Sequence, residues 1–256
     1  MPTPLEKYQA DQLLPRFRPD PPQQKAMAYL HDLYLQLNTR AAKPSNRWLS
    51  WLKRQPTKAV IKGLYLWGGV GRGKTYLMDI FFDCLPQSAK MRTHFHRFMR
   101  HVHQLLAYHQ GARNPLTKVA DDVARQAQVI CFDEFFVSDI TDVMLLAGLL
   151  EALFERGVVL VVTSNMAPKD LYENGLQRQR FLPIIDLLQK NTRVINVDGV
   201  VDHRLHTLEQ AQMYHFPLDE HADASLQAGF SAVSPLTVNI QEYGVLQINH
   251  REFHYR

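Results

Sequence analysis

Cysteines and long apolar runs are both scarce in this sequence of 256 residues. Two cysteines, Cys84 and Cys131, cannot build the disulfide framework on which small secreted proteins depend. The longest uncharged apolar runs, 143–150 and 158–162, are much shorter than the roughly 20 residues of a membrane-spanning helix. The first residues lack the basic and apolar regions of a secretory signal. These absences predict a cytoplasmic protein without an integral membrane segment, with both thiols in its core.

Acidic residues are missing between Asp32 and Asp79, a stretch that contains nine lysines and arginines. Because the whole chain carries a formal net charge of only +4, this excess of positive charge is local. It favours an acidic partner, such as phosphate or an anionic lipid surface. Within the stretch, residues 47–54 mix basic residues with two tryptophans. Such mixtures occur in interfacial and nucleic-acid-binding segments, and also where tryptophans only dock on a core.

Strand and helix patterns alternate from Lys62 onward, and a hydrophobic content of 46% is sufficient for a sizeable core. Such alternation predicts an α/β fold of the P-loop NTPase type, a three-layer sandwich around a parallel five-stranded sheet. Predicted strands cover 63–67, 90–96, 129–132, 158–163 and 193–197. Predicted helices cover 22–38, 74–85, 98–109, 140–156 and 176–189. The predicted division is an N-terminal helix and basic connector (1–58), a P-loop core (59–200) and a small β-rich appendage (201–256).

A glycine-rich loop follows the first predicted strand and matches the P-loop pattern G-x-x-x-x-G-K-[ST]. It consists of Gly68, Gly69, Val70, Gly71, Arg72, Gly73, Lys74 and Thr75. Glycines allow the backbone N–H groups to surround phosphates, Lys74 reaches the β and γ oxygens, and the Thr75 hydroxyl binds Mg²⁺. The alternative, an ordinary glycine turn, does not explain the position between a buried strand and a helix. The loop predicts binding of ATP with Mg²⁺.

Two carboxylates, Asp133 and Glu134, end the third predicted strand, as in a Walker B element. Asp133 is predicted to hold the hydrated Mg²⁺, and Glu134 to polarise the attacking water, a pairing that favours hydrolysis. A strand that ends in acids is common by itself, but here it follows a P-loop. The sequence contains no Asn/Thr-Lys-x-Asp guanine motif, which favours ATP over GTP.

Further polar residues follow the fourth predicted strand. Asn165 is predicted to position the water or to sense the γ-phosphate, and the alternative is an asparagine that caps the next helix. Arg178 and Arg180 come next, and arginine neutralises the charge that develops on a transferred phosphoryl group. In an oligomer either arginine could act in trans, whereas many surface arginines are only solvated. Both interpretations of the arginines stay open.

Histidines and an aromatic pair surround the end of the second predicted strand. The histidines are His94, His96, His101 and His103. No cysteine or paired carboxylate completes a metal site there, so we expect none. If they were exposed, Phe98 and Met99 could bind a polypeptide, but we expect both side chains to lie in the core.

Four segments together resemble the ZapE cell-division ATPases and their Afg-type relatives. They are Leu64–Thr75, His94–Met99, Cys131–Ile140 and Asn174–Pro183. The resemblance covers about Asp20 to His206 and implies an AAA+-like ATPase. It places Lys74, Asp133, Glu134 and Asn165 on the P-loop, Walker B and sensor positions, and Arg178 or Arg180 on that of an arginine finger.

The resemblance also implies a biological role. Bacterial members of this family act in division on the FtsZ ring, at the inner face of the cytoplasmic membrane, which implies a homo-oligomer with peripheral membrane or division-complex contacts. Family members continue into a helical lid, so we expect this chain to be truncated before it. One alternative is a DNA-associated ATPase resembling helicase loaders, suggested by the basic stretch 40–62, although nucleic acid is not a partner in the preferred interpretation. Another is a nucleotide-binding module without turnover.

Overall fold

The computed structural model describes residues 2–14, 17, 20–42, 61–86 and 90–199, and the backbone of three strands between 238 and 254. The chain divides into two units, Met1–Val201 and Asp202–Arg256. Most of the predicted basic connector, residues 43–58 with their two tryptophans, lies outside the described residues. Within the described ranges, no helix combines the length and the hydropathy that crossing a membrane requires.

The first unit alternates helices and strands. Its strands are β1 (Gly63–Trp67), β2 (Lys90–His94), β3 (Val129–Asp133), β4 (Val159–Ser164) and β5 (Thr192–Asn196). Its helices are α1 (Pro4–Gln12), α2 (Pro21–Ala42), α3 (Lys74–Cys84), α4 (Phe95–Tyr108), α5 (Pro115–Gln126), α6 (Ile140–Glu155) and α7 (Leu182–Asn191).

The five strands form one parallel sheet in the order β2-β3-β4-β1-β5, which confirms the predicted fold class. The register sets Trp67, the last residue of β1, opposite Ser164 of β4 and Asn196 of β5. At the other side of the sheet, His94 of β2 lies opposite Asp133 of β3. The carboxyl ends of all five strands therefore meet at one edge, where ligands bind in open α/β folds.

Each face of the sheet is covered by its own apolar cluster. Phe132 and Leu160 point to the side of α4, α5, α6 and α7, and both are fully buried. Cys131 and Val161, their neighbours in sequence, point to the opposite side, toward α1, α2 and α3. This alternation follows from the two-residue period of a strand. Because both faces are buried, the strands read as nearly continuous apolar runs, as expected for a parallel sheet.

Two helices were not predicted from the sequence. In α1 the Thr3 side chain accepts a hydrogen bond from the Glu6 N–H, and the Glu6 carboxylate accepts one from the Thr3 N–H, a capping box in which each residue satisfies the other. In α5 a proline, Pro115, stands in the first turn, and the apolar residues Val119 and Val123 form a face four residues apart. Helix α1 spans 9 residues with little apolar periodicity, whereas α5 spans 12 residues and has a clear apolar face.

Several predicted boundaries differ from the structure, among them the end of α2, which extends to Ala42 whereas the prediction ended at residue 38. Strand β2 ends at His94, and α4 begins at the next residue, so that no loop intervenes; the prediction extended the strand to residue 96. Phe98 and Met99 are buried, which confirms the expectation of core packing. The helix predicted over 176–189 is split, with a 3₁₀ turn at Arg178–Arg180 before α7, because Pro183 occupies the first turn of α7 and favours a helix start there.

Both cysteines are buried and free, as predicted. Burial raises the pKa of the Cys131 thiol to about 12, since the interior disfavours a thiolate. Burial also raises the pKa of Cys84. Both thiols are therefore core residues rather than nucleophiles.

The second unit contains an antiparallel sheet of three strands, β6 (Val238–Gln241), β7 (Val245–Ile248) and β8 (Arg251–His254), in that order. Gln241 pairs with Val245 at the first reversal, and Ile248 pairs with Arg251 at the second. The predicted domain boundaries, and the expected truncation before a helical lid, stay predictions.

Candidate active site

The P-loop joins β1 to α3, and its backbone requires glycine at Gly73. This residue is the N-cap of α3, with φ of +74°, a left-handed conformation that side chains disfavour. A Cβ atom there would lie 2.6 Å from Nε2 of Gln23, the side chain that donates a hydrogen bond to the Arg72 carbonyl at 3.2 Å. As a glycine, Gly73 offers no side-chain acceptor to the first amides of α3. The N-terminus of a helix is a common binding site for anions.

The Lys74 side chain folds back over the loop. Its ammonium Nζ donates hydrogen bonds to the carbonyl oxygens of Gly68 at 2.6 Å and Gly69 at 2.7 Å. The residue is only 9% exposed, so these contacts hold a nearly buried positive charge inside the loop. Thr75, the next residue, is exposed on the first turn of α3. In the P-loop pattern, Lys74 and Thr75 are the residues predicted to bind phosphate and metal.

Asp198, just beyond β5, anchors the P-loop from outside. Its Oδ1 accepts the Gly69 N–H at 2.6 Å, and the Arg72 Nε lies 3.8 Å from the same oxygen. The Asp198 N–H in turn donates to Oδ1 of Asn196 at 2.7 Å. Sequence reasoning did not identify Asp198. The available signal was an acidic residue at the end of the fifth predicted strand, but the sequence does not reveal that β5 lies beside β1.

Asp133, at the end of β3, is held by a guanidinium group. Arg92 of β2 donates from Nε to Oδ2 at 2.7 Å and from Nη2 to Oδ1 at 3.2 Å. Its Nη1 contacts Asp79 of α3. Burial opposes the charge of Arg92, but the hydrogen bonds to the two carboxylates outweigh it and raise the pKa of the guanidinium. Sequence reasoning missed Arg92, because an arginine within a strand carries no motif.

Glu134 leaves the strand in an unusual conformation. Its φ is +52°, in the left-handed region that non-glycine residues rarely adopt. The Glu134 N–H donates to Oγ1 of Thr163 at 3.2 Å, and the Phe135 N–H donates to the Thr163 carbonyl at 2.8 Å. These bonds fix the turn, and the Glu134 side chain remains exposed. Backbone strain of this kind clusters at functional sites.

Asn165 follows β4 directly and is exposed at the same edge of the sheet. The preceding residue, Ser164, donates its hydroxyl hydrogen to the Phe135 carbonyl at 2.9 Å. The ends of β3 and β4 are thereby joined. Glu134 and Asn165 consequently emerge from neighbouring strand ends, as their predicted roles require.

Arg178 and Arg180 lie in the 3₁₀ turn before α7 and contact other groups. Arg178 is half-buried and donates from Nη2 to the Lys169 carbonyl at 2.7 Å. Arg180 is exposed, with Nη1 3.0 Å from the Met144 sulfur. Among the described residues, no hydrogen bond or ion pair joins either arginine to the P-loop or to the carboxylates that end β3. Their predicted role stays a prediction.

The donors at the sheet edge fit a magnesium nucleotide. A hydroxyl on Thr75 and a carboxylate on Asp133 are hard oxygen ligands, and Mg²⁺ binds through one or two carboxylates together with water and phosphate oxygens. Two buried nitrogens of Arg72, Nε and Nη1, have no hydrogen-bond partner among the described residues, and Nε faces the Asp198 carboxylate at 3.8 Å. His94 and His96 stack at 5.8 Å, and in the described ranges no three His, Cys, Asp or Glu side chains form a further metal-binding group.

Comparison with known proteins agrees with this geometry. Residues 2–256 match the sequence model of the AFG1-like ATPase family. The chain belongs to this family. It is 47% identical over 242 residues to the cell division protein ZapE of Escherichia coli, covering 91% of this chain and 64% of that protein. The chain thus spans slightly less than two thirds of that relative's length. It is also 36% identical over 203 residues to lactation elevated protein 1 homolog B of Danio rerio, covering 75% of this chain and 40% of that protein.

A solved structure supports the fold. The AMPPCP-bound DnaA of Aquifex aeolicus superposes with a TM-score of 0.51, covering 84% of this chain and 60% of that one. Its sequence is 12% identical, so the likeness concerns the α/β fold alone.

The left-handed backbone at Gly73 leads to a first prediction. Gly73→Ala adds a Cβ in a disfavoured conformation and against the Gln23 amide. We expect the dissociation constant for a fluorescent ADP, measured by titration, to rise at least about tenfold.

Gly111→Ala is the matched control, since Gly111 has φ of +91° but nothing within 4 Å of its Cβ position. Both variants should lose thermal stability, because a left-handed alanine costs about 1 kcal/mol at either site, and Gly73→Ala should lose more through its contact with Gln23. Only Gly73→Ala should raise the dissociation constant for fluorescent ADP. Equal affinities in the two variants would contradict the assignment of this loop.

Proposed function

We propose that this chain binds ATP with Mg²⁺ and hydrolyses it at the carboxyl edge of its sheet. The observation that carries the proposal is the pairing of an open P-loop with Asp133 and Glu134 at the end of β3. Membership of the AFG1-like ATPase family supports the same activity. The basic stretch that suggested a DNA-associated ATPase lies mostly outside the described residues, so no structural observation favours that alternative.

Each side chain has a defined task in this proposal. The amides of the loop and of the first turn of α3 bind the phosphates, and Lys74 exchanges its carbonyl partners for phosphate oxygens. Thr75 and Asp133 would hold Mg²⁺, which neutralises the charge of the phosphates. Glu134 accepts a proton from the attacking water, and Asn165 orients that water or the γ-phosphate. The exposed Glu134 carboxylate is accessible to water, as a general base must be.

Glu134→Gln tests the assigned general base. The amide has the same shape but cannot accept the proton, so turnover of ATP should fall at least about a hundredfold while ATP affinity stays within about twofold. Phosphate release and equilibrium binding measure the two quantities. Glu151→Gln, on the exposed face of α6, is the control and should retain both. Full turnover by Glu134→Gln would exclude Glu134 from this role.

A second element of the proposal is a homo-oligomer in which Arg180 acts on the nucleotide of a neighbouring copy. Arg180 is exposed, and its guanidinium lies beside a thioether, a weak acceptor. Arg178 is instead tied to a carbonyl of its own chain. An arginine delivered in trans must be free to leave its resting contact, which favours Arg180 as the finger.

Mixing inactive variants tests this assignment. Arg180→Ala retains Glu134, whereas Glu134→Gln retains Arg180, so each variant alone should lose at least about tenfold in turnover. In a mixture, Glu134→Gln copies supply Arg180 to the intact sites of their neighbours, and we expect activity to recover. Arg178→Ala serves as the comparison and should retain most of its turnover. Failure of the mixture to recover would show that Arg180 does not act in trans.

The third element concerns the partner. The name of the Escherichia coli relative places that protein in cell division. Together with the family resemblance of the sequence motifs, this supports a role in division, in which ATP turnover remodels FtsZ polymers in the cytoplasm at the inner face of the membrane. The basic excess between Asp32 and Asp79 suits an acidic partner or an anionic lipid surface at that location.

Sedimentation of polymerised FtsZ tests the partner. With ATP, we expect this protein to reduce the sedimented fraction of FtsZ, and FtsZ polymers to change its ATP turnover. The Glu134→Gln variant should bind without reducing the sedimented fraction, because remodelling requires hydrolysis. Unchanged sedimentation and turnover would remove FtsZ as the partner while leaving the ATPase assignment intact.

A further inference from the structure

Arg92 binds the carboxylate of Asp133, the residue that the proposed function assigns to Mg²⁺. The Arg92 guanidinium donates to both carboxylate oxygens of Asp133, at 2.7 and 3.2 Å, and so occupies the oxygen lone pairs that face it. The contact is shielded from water, since the Arg92 side chain is 22% exposed and that of Asp133 13%. Screening of this pair by solvent is therefore weaker than for a surface salt bridge.

Arg92 has a second carboxylate partner. Its Nη1 contacts Asp79 on α3, the helix that begins at the P-loop, and the Asp79 side chain is half-exposed. The guanidinium can thus give up Asp133 without becoming an unpaired charge in a partly buried position. This matters because removing the sole partner of a shielded charge is strongly unfavourable.

We propose that Arg92 is a positioning residue that acts as a resident cation at Asp133, neutralising this carboxylate until Mg²⁺ takes it. The inference rests on the proposed function, since it requires that Asp133 faces the magnesium nucleotide. In the absence of metal, Arg92 keeps Asp133 from repelling the phosphates. In its presence, Arg92 shifts toward Asp79 and the hydrated ion binds to Asp133.

A direct consequence concerns how strongly nucleotide binding depends on Mg²⁺. Arg92 stabilises the nucleotide complex that lacks metal, and it competes with Mg²⁺ in the complex that contains metal. Both effects make the affinity for nucleotide less dependent on Mg²⁺. The relevant quantity is the dissociation constant for nucleotide in EDTA divided by that in excess Mg²⁺. Loosening of the fold weakens binding in both conditions and leaves this ratio unchanged.

Arg92→Gln, compared with the wild-type chain, tests the proposal without any measurement of turnover. Fluorescent ADP is titrated in EDTA and in excess Mg²⁺, and we expect the ratio of dissociation constants to rise at least about threefold, mostly through weaker binding in EDTA. Arg92→Met provides a second version of the test that keeps the packing of the aliphatic stem, and it should raise the ratio equally. Arg92→Lys restores a positive charge and should return the ratio toward the wild-type value.

Lys90→Gln is the matched control. Lys90 lies two residues earlier on the same strand and donates from Nζ to the carbonyls of Phe82 and Leu85, so it links β2 to the end of α3 away from Asp133. This variant should leave the ratio unchanged. If Arg92→Gln and Arg92→Met weaken ADP binding equally in EDTA and in excess Mg²⁺, the proposal is wrong. Arg92 would then only stabilise the fold. Absence of nucleotide binding by the wild-type chain would instead overturn the proposed function.

Discussion

Parallel pairing of the five strands is the constraint on which this site depends. Because all strands run in one direction, the P-loop after β1, the acids that end β3 and the polar residue after β4 emerge at one edge of the sheet. The hydroxyls of Thr163 and Ser164 join the chain after β3 to the end of β4, so the relative positions of these groups are fixed by hydrogen bonds as well as by pairing. A reversal of any central strand would carry its functional residues to the opposite edge.

The sequence was sufficient to predict what depends on local pattern. The alternation of apolar runs predicted the five strands, and the glycine spacing of Gly68–Thr75 predicted the loop. It could not reveal Arg92 or Asp198, because both act through strand adjacency: Arg92 reaches Asp133 because β2 pairs with β3, and Asp198 reaches Gly69 because β5 pairs with β1. The helices α1 and α5 were also missed. Helix α1 shows little apolar periodicity, whereas the apolar face of α5 at Val119 and Val123 was a signal that the sequence already contained.

Lys74 and Asp133, the two charged groups of the proposed site that are least exposed, each have a partner that they can exchange. The Lys74 ammonium is satisfied by two loop carbonyls, which are neutral acceptors and can be replaced by phosphate oxygens. Asp133 is satisfied by Arg92, which has Asp79 as an alternative. A partly buried charge without any partner would be costly, and a permanently satisfied one could not bind a ligand. Exchangeable partners meet both requirements.

Two contacts hold the P-loop from outside. Gln23 at the start of α2 binds the carbonyl of Arg72, and Asp198 binds the amide of Gly69, although these two anchors come from opposite ends of the first unit. These contacts use one loop carbonyl and one loop amide, and neither involves an amide of the first turn of α3. The loop can therefore be preorganised before nucleotide arrives, so that binding need not also order the backbone. Since its two anchors are a helix start and a strand end, any movement of either element on nucleotide exchange would be transmitted directly to the loop.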